Sequence, residues 1–220
     1  EAVKKTMRGI CKKHGCKPRK ALAIRMNDLK ILCNFLSDRG RLIDIRNRAM
    51  LLVGFFGALR RSELVSLTWE DIEFASGGFV LNLSKSKTDQ MAKGESVAVP
   101  YNSHLCPVQA LIEWRKKSGK FSGPVFRTIS SAGNVSNRSI AANTLSRLIK
   151  EIIKAAGLPS SNYYSGHSLR RGFATESARL GATLDAIKRH GRWKSVKTVL
   201  EYIEEGRQFE DNAANVFFKN

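Results

Sequence analysis

The sequence predicts a mainly α fold carrying one small antiparallel β-sheet, an α+β protein. Three observations lead there. Most apolar positions recur at the three- and four-residue spacing of helices. The stretch 69–99 instead alternates and is punctuated by turn residues, as strands are. Neither internal repeats nor low-complexity tracts interrupt these patterns. At 220 residues, 42% of them apolar, the chain is long enough for one sizeable domain and too apolar for wholesale disorder.

Taken in order, residues 1–20 form a basic lead-in. Val3, Met7 and Ile10 fall at helical spacing, predicting a short helix that ends near Cys11, with Gly15 and Pro18 breaking the chain after it. This reads as the end of an upstream unit followed by a linker. From Asn27, an N-cap residue type, Leu29, Leu32, Cys33 and Leu36 share one helical face, and Gly40 ends the helix. A second helix is expected over 43–59, its run 50–56 apolar enough for deep burial. Leu64 and Leu67 keep helical spacing after Arg60 and Arg61. In the β region Ile72 and Phe74 make one strand, Gly77 and Gly78 a turn, 79–83 a second strand and 96–99 a third. Between the last two lies a polar hairpin tip, Ser84-Lys85-Ser86-Lys87-Thr88-Asp89. Cys106-Pro107 starts a helix that runs to Ser118, and the Gly/Ser-rich stretches 119–123 and 130–139 read as flexible connections. An amphipathic helix over 140–156 stops at Gly157 and Pro159, and the remainder is helical with breaks at Gly181 and Gly191. Within the helix 196–205, Val196, Val199, Leu200 and Ile203 form the expected buried stripe, with Tyr202 at its edge.

The charge balance narrows the function. Lys and Arg number 38 against 19 Asp and Glu, a net charge of +19 and a pI near 10.2, which favours a polyanionic partner, most simply nucleic acid. The four cysteines show no paired framework. Cys11, His14 and Cys16 resemble metal ligands faintly, but a structural zinc site needs four ligands and no second cluster supplies them, so no metal is expected. No apolar run approaches the ~20 residues of a membrane span. The expectation is a soluble cytoplasmic protein with reduced thiols.

The chemistry-bearing residues cluster in the last third of the chain. On one helix His167 and Arg170 are three apart and Arg171 is four from His167, so geometry alone chooses neither arginine. Arg60 and Glu63, also three apart, pair an arginine with a carboxylate able to hold it. Trp193 and Tyr202 are nine apart, which on one unbroken helix puts them on opposite faces. Gly191 before Trp193, and Ser195 as an N-cap after it, argue for a break that lets both face one site.

These pieces resemble, in order and spacing, the tyrosine recombinase (phage integrase) family. The matching pieces are Gly57-Ala58-Leu59-Arg60-Arg61-Ser62-Glu63-Leu64, the Lys-Thr of the hairpin, His167-Ser168-Leu169-Arg170, Gly191-Arg192-Trp193 and Tyr202. The resemblance runs from about Ala21 to the C-terminus. It implies that Arg60 and Arg170 bind a scissile phosphate and that Glu63 supports Arg60. Lys87, or Lys85 two residues earlier, would be the hairpin lysine that protonates the leaving oxygen. His167 would accept or relay a proton, Trp193 would donate an N–H to the phosphate and brace the nucleophile, and Tyr202 would be that nucleophile. Arg61, Arg171, His190 and Arg192 are further candidate DNA contacts, His190 having a structural alternative.

The implied protein is a site-specific recombinase or integrase, of bacterial, plasmid or phage origin, cleaving and rejoining double-stranded DNA through a 3′-phosphotyrosine without metal, ATP or other cofactor. Residues 1–20 would be the remnant of a core-binding domain and its linker, and 21–220 the catalytic domain with its C-terminal tail helix. The tail, with Phe209, Val216, Phe217 and Phe218, would dock onto a neighbouring protomer in a tetrameric synapse, docking in cis being the alternative. Two rival functions share most of these residues: a type IB topoisomerase, and a non-catalytic DNA-binding module retaining a relic site.

Overall fold

The apolar run at 50–56 becomes the C-terminal half of α3 (Leu42–Phe56), in which Met50, Leu51 and Val53 are wholly enclosed, and the other elements are arranged around it. The computed structural model describes residues 2–15, 20–83, 94–210 and 212–218. The hairpin tip with Lys85 and Lys87 lies outside the described residues, as do Cys16 and the side chains of Cys11 and His14. Helix α1 (Ala2–His14) continues past Cys11 and leaves Val3, Met7 and Ile10 exposed.

Helix α2 (Met26–Arg39) packs on α3 through the expected face, with Leu29, Leu32, Cys33 and Leu36 buried. Its N-cap is Arg25, not Asn27, because the Asp28 carboxylate reaches back to accept the Arg25 backbone N–H at 3.1 Å. Gly40 closes the helix in the left-handed conformation with φ 59. Helix α3 ends at Phe56, three residues short of the predicted end. Ala58, at φ 45, turns the chain there, and α4 (Arg61–Ser66) begins a new helix rather than extending the old one.

Strands β1 (Ile72–Ala75), β2 (Gly78–Leu83) and β3 (Glu95–Pro100) form an antiparallel sheet in sequence order. Ile72 lies opposite Leu81, Leu81 opposite Val97 and Phe79 opposite Val99, so one face is apolar and buried while the other is wet. Helix α5 (Pro107–Ser118) packs on α3, and its enclosed Trp114 donates its indole N–H to the Val125 carbonyl at 2.8 Å. The stretch 130–139, read from sequence as a flexible connection, contains β5 (Val135–Ser139), antiparallel to β4 (Arg127–Ile129). Its residues are mostly polar and show no alternation to read. Arg127 helps fix the pair, donating to the Pro124 carbonyl at 2.8 Å and to Asn137 Oδ1 at 2.9 Å. Helix α6 (Ala142–Ala155) completes the main core with Leu145, Ile149, Ile152 and Ile153.

The last three α-helices, α7 (His167–Arg179), α8 (Leu184–Gly191) and α9 (Val196–Arg207), build a second, smaller core. It comprises Ala58, Ala174, Ala178, Ile187, Trp193, Val199 and Tyr202. The stripe expected on α9 is corrected here. Val196 and Leu200 are 40% and 43% exposed, while Tyr202, placed at the edge from sequence, is buried beside Val199 at 7%. Helix α9 lies so close to α7 that it turns a different face inward. At Gly206 a Cβ would stand 2.5 Å from the Thr175 carbonyl oxygen, so only glycine allows this approach. Beyond α9 the tail forms a 3₁₀ turn (Ala213–Phe218) rather than an α-helix, with Phe209, Phe217 and Phe218 between 78% and 82% exposed. Among the described residues no helix is long and apolar enough to cross a membrane.

Gly206→Ala should push α9 off α7 and destabilise the protein by about 2 kcal/mol, the usual range for overpacking. Urea unfolding monitored by circular dichroism measures it.

Candidate active site

The site begins at the turn after α3. Ala58 adopts a left-handed conformation that costs a non-glycine residue about 1 kcal/mol, and it does so where the chain leaves one helix for the next. The turn presents the Ala58 carbonyl, which accepts an N–H from Arg170 at 2.6 Å. It also starts α4 with Arg60 at the N-cap. Glu63, at the third position of that helix, accepts the Arg60 backbone N–H at 2.8 Å and an N–H of the Arg60 guanidinium as well. The expected support of Arg60 by Glu63 is therefore made twice, once to backbone and once to side chain.

Glu63 has a second partner that the spacing did not reveal. Arg192 Nη2 donates to Glu63 Oε2 at 2.7 Å, from 129 residues away. Burial by itself would raise the Glu63 carboxyl, but the charge of Arg192 and the hydrogen bonds and charge of Arg60 outweigh it and leave the pKa lowered. Arg192, offered from sequence as a DNA contact, is only 8% exposed, and its two terminal nitrogens donate inside the protein, to the His190 carbonyl and Glu63. Its own carbonyl accepts an N–H of Arg60 at 3.3 Å.

The break between α8 and α9 occurs as predicted, but by a different device. Gly191 stays helical, and it is Arg192 that takes the left-handed conformation, with φ 57. Glycine is needed at 191 because a Cβ there would lie 1.6 Å from the Trp193 ring. The indole therefore folds over the helix end, 4.3 Å from its ring centroid to the Arg170 guanidinium, a cation–π contact. Trp193 also meets Tyr202 edge-on, with centroids 5.7 Å apart. Arg60, Arg170, Trp193 and Tyr202 thus converge from α4, α7, the α8–α9 connection and α9.

The two arginines of α7 sit in different surroundings. Arg170 is 3% exposed and enters the pocket, where burial and then the nearby Arg60 and Arg192 charges push its pKa down to about 9. No carboxylate pairs with it among the described residues. Arg171 lies over the Tyr202 ring, its guanidinium 5.9 Å from the ring centroid, and its Nε donates to Glu205 of α9 at 3.1 Å. His167 opens α7 at the rim. Partial burial of its imidazole, then the Arg170 and Arg171 charges, lower its pKa and favour the neutral base. Burial raises the Tyr202 phenol, although Arg171 and Arg170 pull against it.

His190 resolves toward its structural alternative: Nε2 bonds the Phe56 carbonyl at 2.8 Å and the ring stacks on Phe173 at 4.5 Å. Arg61 is exposed beside the pocket, its stem packed against Gly166. Glu95, which sequence reasoning did not single out, reaches the site from the start of β3; only its charge and its place near the hairpin could have flagged it. Among the described residues no cluster of His, Cys, Asp or Glu could hold a metal ion.

A family profile described as the phage integrase family matches residues 22–208. An integrase/recombinase xerD homolog of Selenomonas ruminantium is 37% identical, the match covering 97% of this chain and 62% of that protein. Recombinase cre of Escherichia phage P1 is 29% identical, over 92% of this chain and 62% of the relative. The chain thus spans less than two thirds of the length of either. Among solved structures, the XerH site-specific recombinase bound to a palindromic difH substrate, in a post-cleavage complex, superposes with a TM-score of 0.71. It is 18% identical, over 90% of this chain and 54% of that one, and the likeness is one of fold.

Glu63→Gln should cost roughly 3 kcal/mol, because the enclosed Arg192 guanidinium loses its charge partner. The folded-state pKa of Glu63 is depressed, so its contribution is fully present above about pH 4.3 and lost as pH falls through the folded value. Urea melts across that acid range should show the variant's stability falling less steeply with pH than the wild type's.

Proposed function

The chain belongs to the phage integrase family, and from that premise we propose that it is the catalytic part of a site-specific recombinase that cleaves and rejoins DNA through Tyr202. The observation that carries the reading is the convergence of Arg60, Arg170, Trp193 and Tyr202, from four separate parts of the chain, on one cationic pocket.

In this reading the scissile phosphate lies between Arg60 and Arg170. Attack by the Tyr202 oxygen on phosphorus builds charge on the non-bridging oxygens, and two forked guanidiniums neutralise it without a metal. The bond to the 5′ oxygen breaks, and that oxygen takes a proton from Lys87 or, failing it, Lys85. His167, held neutral, accepts the tyrosine proton. Trp193 has one N–H to offer and no acid–base chemistry, so its parts are to donate to the phosphate and to brace the Tyr202 ring. The 3′-phosphotyrosine conserves the energy of the broken bond, and the 5′ hydroxyl of a second strand then displaces the tyrosine. Arg171 and Arg192 serve as supports, through Glu205 and Glu63.

The surplus of basic residues supports contacts along the DNA backbone that add affinity without reading sequence. Residues 1–20 would belong to a core-binding domain gripping the other face of the duplex. The exposed Phe209, Phe217 and Phe218 would dock on a neighbouring protomer in a tetrameric synapse.

A nicked suicide substrate carrying the recognition site tests the reading. Wild-type full-length protein should form a covalent adduct; Tyr202→Phe should bind the DNA equally well and form none. An adduct persisting in that variant would remove Tyr202 from its role, and strand exchange between two sites would separate recombination from topoisomerase-like relaxation. Because the folded pKa of His167 is lowered, the acid limb of single-turnover cleavage should lie below about pH 6.5, the ordinary imidazole value. His167→Gln should abolish that limb.

A further inference from the structure

We propose that Glu95 is a further positioning residue of this site, a displaceable carboxylate that holds Arg60 and Arg192 in register and is exchanged for the incoming phosphate. The inference rests on reading the pocket as a phosphate site. Glu95 opens β3, paired across the sheet with Leu83 at the base of the hairpin. Its Oε2 lies 3.3 Å from Arg192 Nε and 4.0 Å from Arg60 Nη1.

Glu63 and Glu95 address the same two arginines in different ways. The Glu63 side chain is 10% exposed and its oxygens are engaged in directed hydrogen bonds from Arg60 and Arg192. The Glu95 side chain is 41% exposed, and its approach to Arg192 lacks hydrogen-bond geometry. Arg192 Nε, enclosed from water, has no hydrogen-bond acceptor among the described residues. One carboxylate is built in; the other lies alongside. A part-exposed ion pair of this kind is weak. A phosphate, able to take two forked guanidiniums at once, competes well against it.

Charge supports the same assignment. Arg60, Arg170 and Arg192 are close enough to perturb one another, and the single negative charge of Glu63 stands against their three positive charges. Glu95 supplies a second negative charge at the pocket's edge, the charge a phosphodiester would bring in its place.

The test uses the full chain and two probes. The first is inorganic phosphate, its affinity read by thermal shift; the second is duplex DNA, read by fluorescence anisotropy on a Tyr202→Phe background. Glu95→Gln should bind both more tightly than its parent, by about threefold, the scale of one part-exposed ion pair. Glu95→Asp, which keeps the charge but retracts it, should fall between, and Arg60→Gln should erase the difference. The melting temperature without phosphate should be unchanged in Glu95→Gln. Unchanged or weaker phosphate binding by Glu95→Gln would overturn the proposal, even if the wild type forms its covalent DNA adduct. Tighter phosphate binding in a protein that never forms an adduct would uphold it while removing the recombinase reading.

Discussion

The arrangement of the site depends on one carboxylate. Glu63 is nearly enclosed, and it is the point at which Arg60, the start of α4 and Arg192 are joined. Three guanidiniums crowd one side of the pocket, and like charges at that range destabilise a folded chain unless something offsets them. Glu63 offsets part of that charge, its oxygens committed to Arg60 and Arg192. A site that binds an anion through charge needs its own counter-charge placed where the ligand does not go. Here the spacing of Arg60 and Glu63 on one helical turn meets that need.

The two apolar clusters divide the work. The larger, around α3 and the first sheet, holds the turn at Ala58 and the helix bearing Arg60. The smaller one, between α7, α8 and α9, holds Trp193 and Tyr202. Ala58 belongs to the smaller cluster although it follows directly from α3, and its carbonyl receives Arg170, so the two clusters meet at a single strained turn. Ion pairs add to the packing of α9: Glu205 pairs with Arg171 and Arg25, and Glu201, next to Tyr202, pairs with Lys20. These bonds are part-exposed and individually weak. Tyr202 is thus packed at its ring, while the rest of its helix is tied by weaker, part-exposed ion pairs.

Much of this is legible in the amino-acid sequence. The helical faces of α2 and α6, the buried run of α3 and the three strands of the first sheet follow from residue spacing, because each buries one face against something apolar. Where the reading went astray, the cause was tertiary. Tyr202 looked like an edge residue because Val196 and Leu200 are the more apolar choices. The close approach allowed by Gly206 selects the face that includes Tyr202 instead. The strand at 135–139 was invisible because it is polar and held partly by Arg127, not by an alternating face. The spacing marks Gly191 as the break itself, whereas Gly191 makes room for an indole and leaves the left-handed turn to Arg192.

Periodicity, composition and the order of short motifs along the chain suffice for the fold class and the family, since both depend on local patterns. Only the packed structure shows that Arg170 is buried against the Ala58 carbonyl and the Trp193 ring, that Arg192 is buried against Glu63, and that Glu95 lies beside Arg192 and Arg60. Those outcomes turn on contacts between residues far apart in the chain, such as Glu63 and Arg192 or Arg170 and the Ala58 carbonyl. No local spacing encodes such contacts, because they exist only once α3, α7 and the α8–α9 connection have packed together.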